Sequence, residues 1–165
     1  VDNPGDRKII GNSTPRFHYG ITGNISWKNF DLNIFFQGIA KRDVWISDNV
    51  FWGGSGTAGN WEMYNNSWTP EHTDAKYPMY AGRISSIQQT GYLFNGAYLR
   101  LKTLALGYTL PREWTNKVKL STVRLSLSGY NLFEISQIPD LYDPDQISSS
   151  YPMMRSVAFG LQVGF

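Results

Sequence analysis

The residues best equipped for chemistry lie in two stretches, about 42–95 and 134–152. Gly54, Gly56 and Gly59 form a G-x-G-x-x-G, with Asp74 twenty residues after the first glycine. In a dinucleotide site such glycines follow a strand, cradle a pyrophosphate and open a helix with one apolar face. Here they lead into Asn60-Trp61-Glu62-Met63-Tyr64-Asn65-Asn66, so they read as a glycine-rich loop tip. Asp140, Asp143 and Asp145 offer the hard oxygen ligands that calcium takes from flexible loops. The glycine and bidentate glutamate of an EF-hand are missing, and Pro139 and Pro144 stiffen the segment, so a rigid polar turn is expected and no metal is assigned. His18 and His72 have no ligand spacing and no serine and acid to complete a nucleophilic set. Glu62, Glu71 and Asp74 form a glycosidase pair only at a defined carboxylate separation. With no cysteine, thiolate metal sites, disulfides and cysteine nucleophiles are excluded. The expectation is a protein that is no enzyme and carries no cofactor.

One further group stands out in the longer stretch: Trp45, Trp52, Trp61 and Trp68, accompanied by Phe51, Tyr64, Tyr77 and Tyr80. Aromatics on a loop can stack on a sugar ring or pack a peptide side chain. They can equally give a long loop a small core of its own. Both readings stay open here.

The elements that must position these loops announce themselves by period two, the signature of a strand with unlike faces. Val157, Phe159, Leu161, Val163 and Phe165 alternate with Ser156, Ala158, Gly160, Gln162 and Gly164. Phe17, Tyr19, Ile21, Ile25 and Trp27 do the same, and Phe30, Leu32, Ile34 and Phe36 restart the pattern after Lys28-Asn29, as the return arm of a hairpin. Val123, Leu125 and Leu127 mark a further strand, and Leu104, Leu106, Tyr108 and Leu110 another. In the last of these the upstream Leu99 and Leu101 fall on the opposite parity, which a bulge near Lys102-Thr103 would explain.

Five strands are therefore expected, at about 16–27, 30–41, 97–110, 119–132 and 154–165. The connections run short, long, short, long: Lys28-Asn29, then about fifty residues, then a turn containing Pro111, then about twenty. That is the pattern of an outer-membrane β-barrel, with short periplasmic turns and long extracellular loops, here about 42–95 and 134–152. It places Phe165 on the periplasmic side. Trp27, Phe30, Tyr108, Trp114 and Phe165 gather at the short-turn level, as an interfacial girdle would. The competing fold is a β-sandwich, whose function would be carbohydrate binding by a secreted module through the loop tryptophans. The two differ in whether the row Val157 to Phe165 is buried beneath a second sheet.

Composition agrees with dispersed apolar residues. Charged residues are 17% and aromatics 15%, mean hydropathy is -0.34, and no apolar run approaches the ~18 residues of a membrane helix. The net charge of +2 is scattered, so no nucleic-acid partner is implied. The beginning, Val1-Asp2-Asn3-Pro4, has no signal-peptide character and reads as the downstream part of something longer.

Five segments, DRKIIGNSTPRFHYGI (6–21), KNFDLNIFFQG (28–38), SWTPEHTDAKYP (67–78), GAYLRLKTLALGYTLP (96–111) and SGYNLFEISQIPDLYDPD (128–145), together resemble the C-terminal end of SusC/RagA-type TonB-dependent transporters. His72 and Met79 depart from the residues common there. The resemblance implies an all-β, antiparallel transmembrane barrel of roughly 22 strands, of which this chain supplies about five. It implies a plug domain and a TonB-engaging segment outside these residues, and a SusD-like surface lipoprotein as lid. Cargo would be glycans or peptides, and the remaining partners the barrel-assembly machinery and outer-membrane lipid. In that picture Arg16, His18, Asn24, Asp31, Arg124 and Gln162 would line a polar lumen or contact the plug. Phe159 and Phe165 would belong to the terminal aromatic signal read during assembly.

Overall fold

Alternation becomes a ladder once two such segments lie side by side. The computed structural model describes residues 8–47, 49–52, 61–79, 88–147 and 153–165; Gly54, Gly56, Gly59 and Tyr80 lie outside them. β1 (Phe17–Trp27) and β2 (Phe30–Ala40) form the hairpin closed by Lys28-Asn29. There follow β3 (Asp43–Val44), the helical turns α1 (Asn49–Trp52) and α2 (Trp61–Asn65), then β4 (Phe94–Asn95) and β5 (Tyr98–Thr109). The turn α3 (Arg112–Thr115), β6 (Thr122–Ser136) and β7 (Ser156–Gly164) complete the order.

One sheet holds the five long strands in the order β1-β2-β5-β6-β7, antiparallel throughout, and β3 pairs with β4 separately. Pairing carries the alternation across all five. Trp27, Phe30, Tyr108, Leu125 and Leu161 stand opposite one another in a line, and Ile25, Leu32, Leu106, Leu127 and Phe159 form the next. On this face Val157, Phe159, Leu161, Val163 and Phe165 are exposed by 37% to 96%, and among the described residues no second sheet covers them. The sandwich expectation therefore fails. Burying each such side chain is worth about 1.5–3 kcal/mol, so a face this wide favours an apolar surrounding that the described residues do not supply.

The bounds of β6 depart most from the sequence expectation, by three residues at its start and four at its end, the other strands by two or fewer. The β5–β6 connection is longer than a tight turn at Pro111, because Arg112–Thr115 and Asn116–Val118 coil helically and Lys119 turns left-handed at φ 58° before β6 begins. At its other end β6 runs past 132 to Ser136. The bulge lies at Lys102: it has no partner between Phe35 and Phe36 of β2, and it opposes Asn131 and Leu132 of β6. One extra residue on β5 flips its parity, whereas two on β6 leave parity unchanged. Leu101 and Leu104 can then both face the apolar side, and Phe133 and Ile135 rejoin the row.

Glycines receive side chains from neighbouring strands. Tyr19 lies across Gly38, its opposite residue, and donates its hydroxyl to the carbonyl of Tyr98 at 3.0 Å, tying β1 to β5 over β2. A Cβ on Gly38 would collide with the Tyr19 ring and with the Tyr98 carbonyl oxygen. Gly38→Ala is accordingly expected to destabilise the protein by about 1–3 kcal/mol, read as a lower urea midpoint by tryptophan fluorescence. An unchanged midpoint would mean that Tyr19 is no tie.

Candidate functional site

The opposite face of the sheet is polar by the same parity, and it gathers residues far apart in sequence. Asp31 on β2 stands opposite Gly107, and Arg124 on β6 lies beyond it. Both guanidinium nitrogens of Arg124 donate to Asp31, Nη1 to Oδ1 and Nη2 to Oδ2, each at 2.7 Å. This parallel fork spans three strands and passes over Gly107, where a Cβ would strike both partners. Asn33 donates to Asn24 at 2.5 Å, and Gln162 faces Arg124 across the β6–β7 ladder. His18 is exposed on the same face, and Arg16, just before β1, donates its backbone N–H to Lys41. Of the six candidate lumen residues, Asp31 and Arg124 are joined through their side chains.

Above this wall the long connection folds around aromatics. Lys41 adopts φ 58°, after which β3 and β4 follow on from the β2–β5 pair as a short stalk. Phe51 is fully buried and meets Trp52, Tyr77 and Phe94 edge-on, with centroids 5.2, 5.7 and 5.8 Å apart. Val44, Ile46, Met63, Tyr92, Ile138 and Tyr142 complete this core, so both long loops contribute to it. Lys76 holds its ammonium 3.9 Å from the Phe94 ring centroid. Burial pushes the Glu62 carboxyl up and the Lys76 ammonium down, and each opposes the shift of the other.

The four candidate tryptophans separate into two roles. Trp52 is only 4% exposed and donates its indole N–H to the Ile46 carbonyl at 2.6 Å, so it is a core residue with no surface for a ligand. Trp45 is half-buried, stacked on Trp52 at 5.4 Å, and its other side borders a cleft of about 500 Å³ lined also by Arg42, Asp43, Ser47 and Gln146. Trp61, 75% exposed, stacks on exposed Tyr64 with centroids 5.7 Å apart and planes 23° apart. Trp68 is exposed beside them in sequence. Phe159 and Phe165 lie exposed in the apolar row of the opposite face or at its end.

What fastens the second loop to the wall is Arg100. Its side chain is 2% exposed and donates from Nε and Nη2 to Glu134, at 3.0 and 2.6 Å, and from Nη2 to Asp143 at 2.8 Å. Asp143 also accepts the backbone N–H groups of Asp145 and Met153. Tyr98 donates to Asp145 at 2.9 Å, and Lys102, turned inward by the bulge, comes within 3.9 Å of it. Asp143 and Asp145 are thus engaged by the wall, and among the described residues no group of acids or histidines forms a metal cage.

No protein-family model matches the chain. TonB-dependent receptors P3 and P26 of Formosa agariphila are 35% and 26% identical to it, each over 97% of its length. The RagAB peptide transporter, and the RagAB peptide importer in its closed-closed state, are each 26% identical and superpose with TM-scores of 0.70 over 95% and 96% of the chain. The chain belongs to the SusC/RagA-type TonB-dependent receptors. It spans 17% and 18% of the length of the two Formosa relatives and 18% of the two solved chains.

In this TonB-dependent receptor chain the staple residues carried little sequence signal. Arg100 sits at an ordinary polar position of an alternating strand, 34 residues from Glu134 and 43 from Asp143. A cation inside an apolar-rich strand and a carboxylate run with interleaved prolines are the two hints available. Burial alone would push the Asp143 carboxyl up. The Arg100 guanidinium and the two backbone N–H groups outweigh burial and hold it below the ordinary carboxylate range. The stabilisation is therefore complete above the unfolded value of about 4 and is lost as pH falls through the lower folded one. Limited proteolysis across 137–155 should show resistance at neutral pH that weakens progressively below about pH 4, with Asp143→Asn flattening that dependence. Arg100→Met strands a buried carboxylate and is expected to cost about 3–5 kcal/mol, read as a lower urea midpoint and as cleavage of that loop at pH 7. Wild-type resistance in this variant would remove Arg100 from the anchoring role.

Proposed function

We propose that the complete protein is a TonB-dependent importer of the outer membrane, in which this chain supplies five neighbouring strands of a barrel of roughly 22. The observation that carries the reading is the two-faced sheet: an unbroken apolar face across all five strands, backed by a polar one. That β1 and β7 are the edge strands among the described residues fits it, because a closed barrel provides both with partners. The short connections belong to the periplasmic end and the loops around 42–95 and 134–152 to the extracellular mouth.

Transport follows from that architecture. Cargo, a glycan or a peptide, is captured at the mouth beneath a SusD-like lipoprotein and released inward when the TonB complex, acting through parts outside this chain, displaces a plug. The polar face bearing His18, Asn24, Asp31, Arg124 and Gln162 borders the lumen that the plug fills. The aromatic loop core and the Arg100 staple support a preformed vestibule, because a mouth that stays folded spends less ordering entropy on capture. Among the described loop residues, Trp61 and Tyr64 present open aromatic surface suited to a sugar ring or an apolar side chain. RagAB, named for peptides, and the polar rim of the Trp45 cleft leave both cargo classes in play.

A strain lacking the complete gene, grown on separate glycans and peptides as nutrient, should lose growth on one class and regain it on complementation. Growth on every nutrient at the parental rate would sink the importer reading. In the complemented strain, Trp61→Ala with Tyr64→Ala is expected to raise the concentration for half-maximal uptake by roughly 3- to 10-fold, with unchanged receptor abundance.

A further inference from the structure

At the short-turn end of the sheet, exposed cations and exposed apolar groups are interleaved. Trp27, Phe30 and Tyr108 occupy one line of the apolar face, and the rings of Phe30 and Tyr108 lie 4.4 Å apart. Lys28 places its ammonium 4.7 Å from the Trp27 ring centroid, at the edge of that line. The neighbouring connection carries exposed Trp114 and Val118 together with exposed Lys117 and Lys119. The backbone N–H of Thr109 bonds to Asn29, so the two connections lie against each other.

Among the described residues, Lys28, Lys117 and Lys119 make no ion pair. At the other end of the sheet, by contrast, Arg100 and Lys102 meet Glu134, Asp143 and Asp145. Water would satisfy the three lysines but not Trp114 and Val118; hydrocarbon would do the reverse. A headgroup layer accepts both, with ring bodies toward the acyl chains and ammonium groups among phosphates.

We propose that this end is a docking surface for anionic phospholipid headgroups of the inner leaflet, with Lys28, Lys117 and Lys119 as phosphate partners and Trp27 and Trp114 as anchors. The proposal rests on the orientation given above, short connections toward the periplasm. Phospholipid, and not free phosphate, is the occupant because the cations border an apolar face that only a lipid can cover at the same time. Opposite charge near a membrane surface also holds several basic residues cooperatively and weakens with salt.

The test uses the complete receptor in nanodiscs of equal parts phosphatidylethanolamine and phosphatidylglycerol, followed by native mass spectrometry of the lipids that remain bound. Lys28 and Lys119 have φ 52° and 58°, which asparagine tolerates, so the neutral variant is Lys28→Asn, Lys117→Gln, Lys119→Asn. Wild type is expected to retain phosphatidylglycerol in preference, and the neutral variant to lose that preference by about fivefold per lysine. The all-arginine variant should keep it, Lys41→Asn at the far end should leave it unchanged, and inorganic phosphate should not release the lipid. Equal retention of both lipids by wild type, an unaltered preference in the neutral variant, or release by phosphate alone overturns the proposal. Orientation is read separately with Asn116→Cys and a membrane-impermeant maleimide. Labelling only after permeabilisation supports the periplasmic placement, and labelling on intact cells overturns that placement and the lipid assignment with it.

Discussion

Backbone pairing is the constraint from which the rest of the structure follows. Inside hydrocarbon an unpaired N–H or C=O costs several kcal/mol, so the wall has to be a continuous ladder. A continuous ladder fixes the parity of every side chain it contains. The apolar line from Trp27 to Leu161 and the polar line containing Asp31 and Arg124 are two consequences of one pattern of bonds. The bulge at Lys102 shows the same rule from the other side. The ladder gives way there by one residue so that Leu101 and Leu104 can both keep the apolar face while Lys102 turns inward.

Within this frame glycine serves as space for a neighbour. Gly38 accepts Tyr19, and Gly107 lies beneath the Asp31–Arg124 fork. Each makes a contact reach across a strand that a Cβ would block, so the sheet is tied diagonally as well as by ladder bonds. That matters in a single sheet with no second sheet behind it among the described residues: lateral side-chain contacts are what resists shear between strands.

Legibility in the sequence followed locality. The five strands were visible because alternation is a property of nearest neighbours, and the parity slip at Lys102-Thr103 exposed the bulge. The start of β6 lies three residues later than expected because Lys119 turns left-handed and the Leu120 N–H bonds back to Thr115, a local turn that alternation does not show. Pairings such as Asp31 with Arg124, 93 residues apart, depend on strand order, which alternation does not encode. Among the tryptophans, chemistry alone could not separate Trp52, sealed by Phe51 and Tyr77, from Trp61, which lies open. Both are the same residue type on the same loop, and only the core around Phe51 distinguishes them.

The Arg100 staple then raises the question of why an ionic contact should sit where an apolar one would hold more cheaply. A buried ion pair rarely surpasses well-packed hydrophobics in net stability, but it is demanding about geometry. Arg100 faces the polar side of the wall, where an apolar patch would compete with the outward face for lipid during insertion. Charged partners remove that ambiguity, because the loop segment carrying Asp143 has no place in hydrocarbon and one place on the wall. The fork of Arg100 is matched by Glu134 on the adjacent strand and by Asp143 in the loop, so the loop is seated only when β5 and β6 are in register. Seating of that loop is thereby made conditional on pairing of the two strands beneath it.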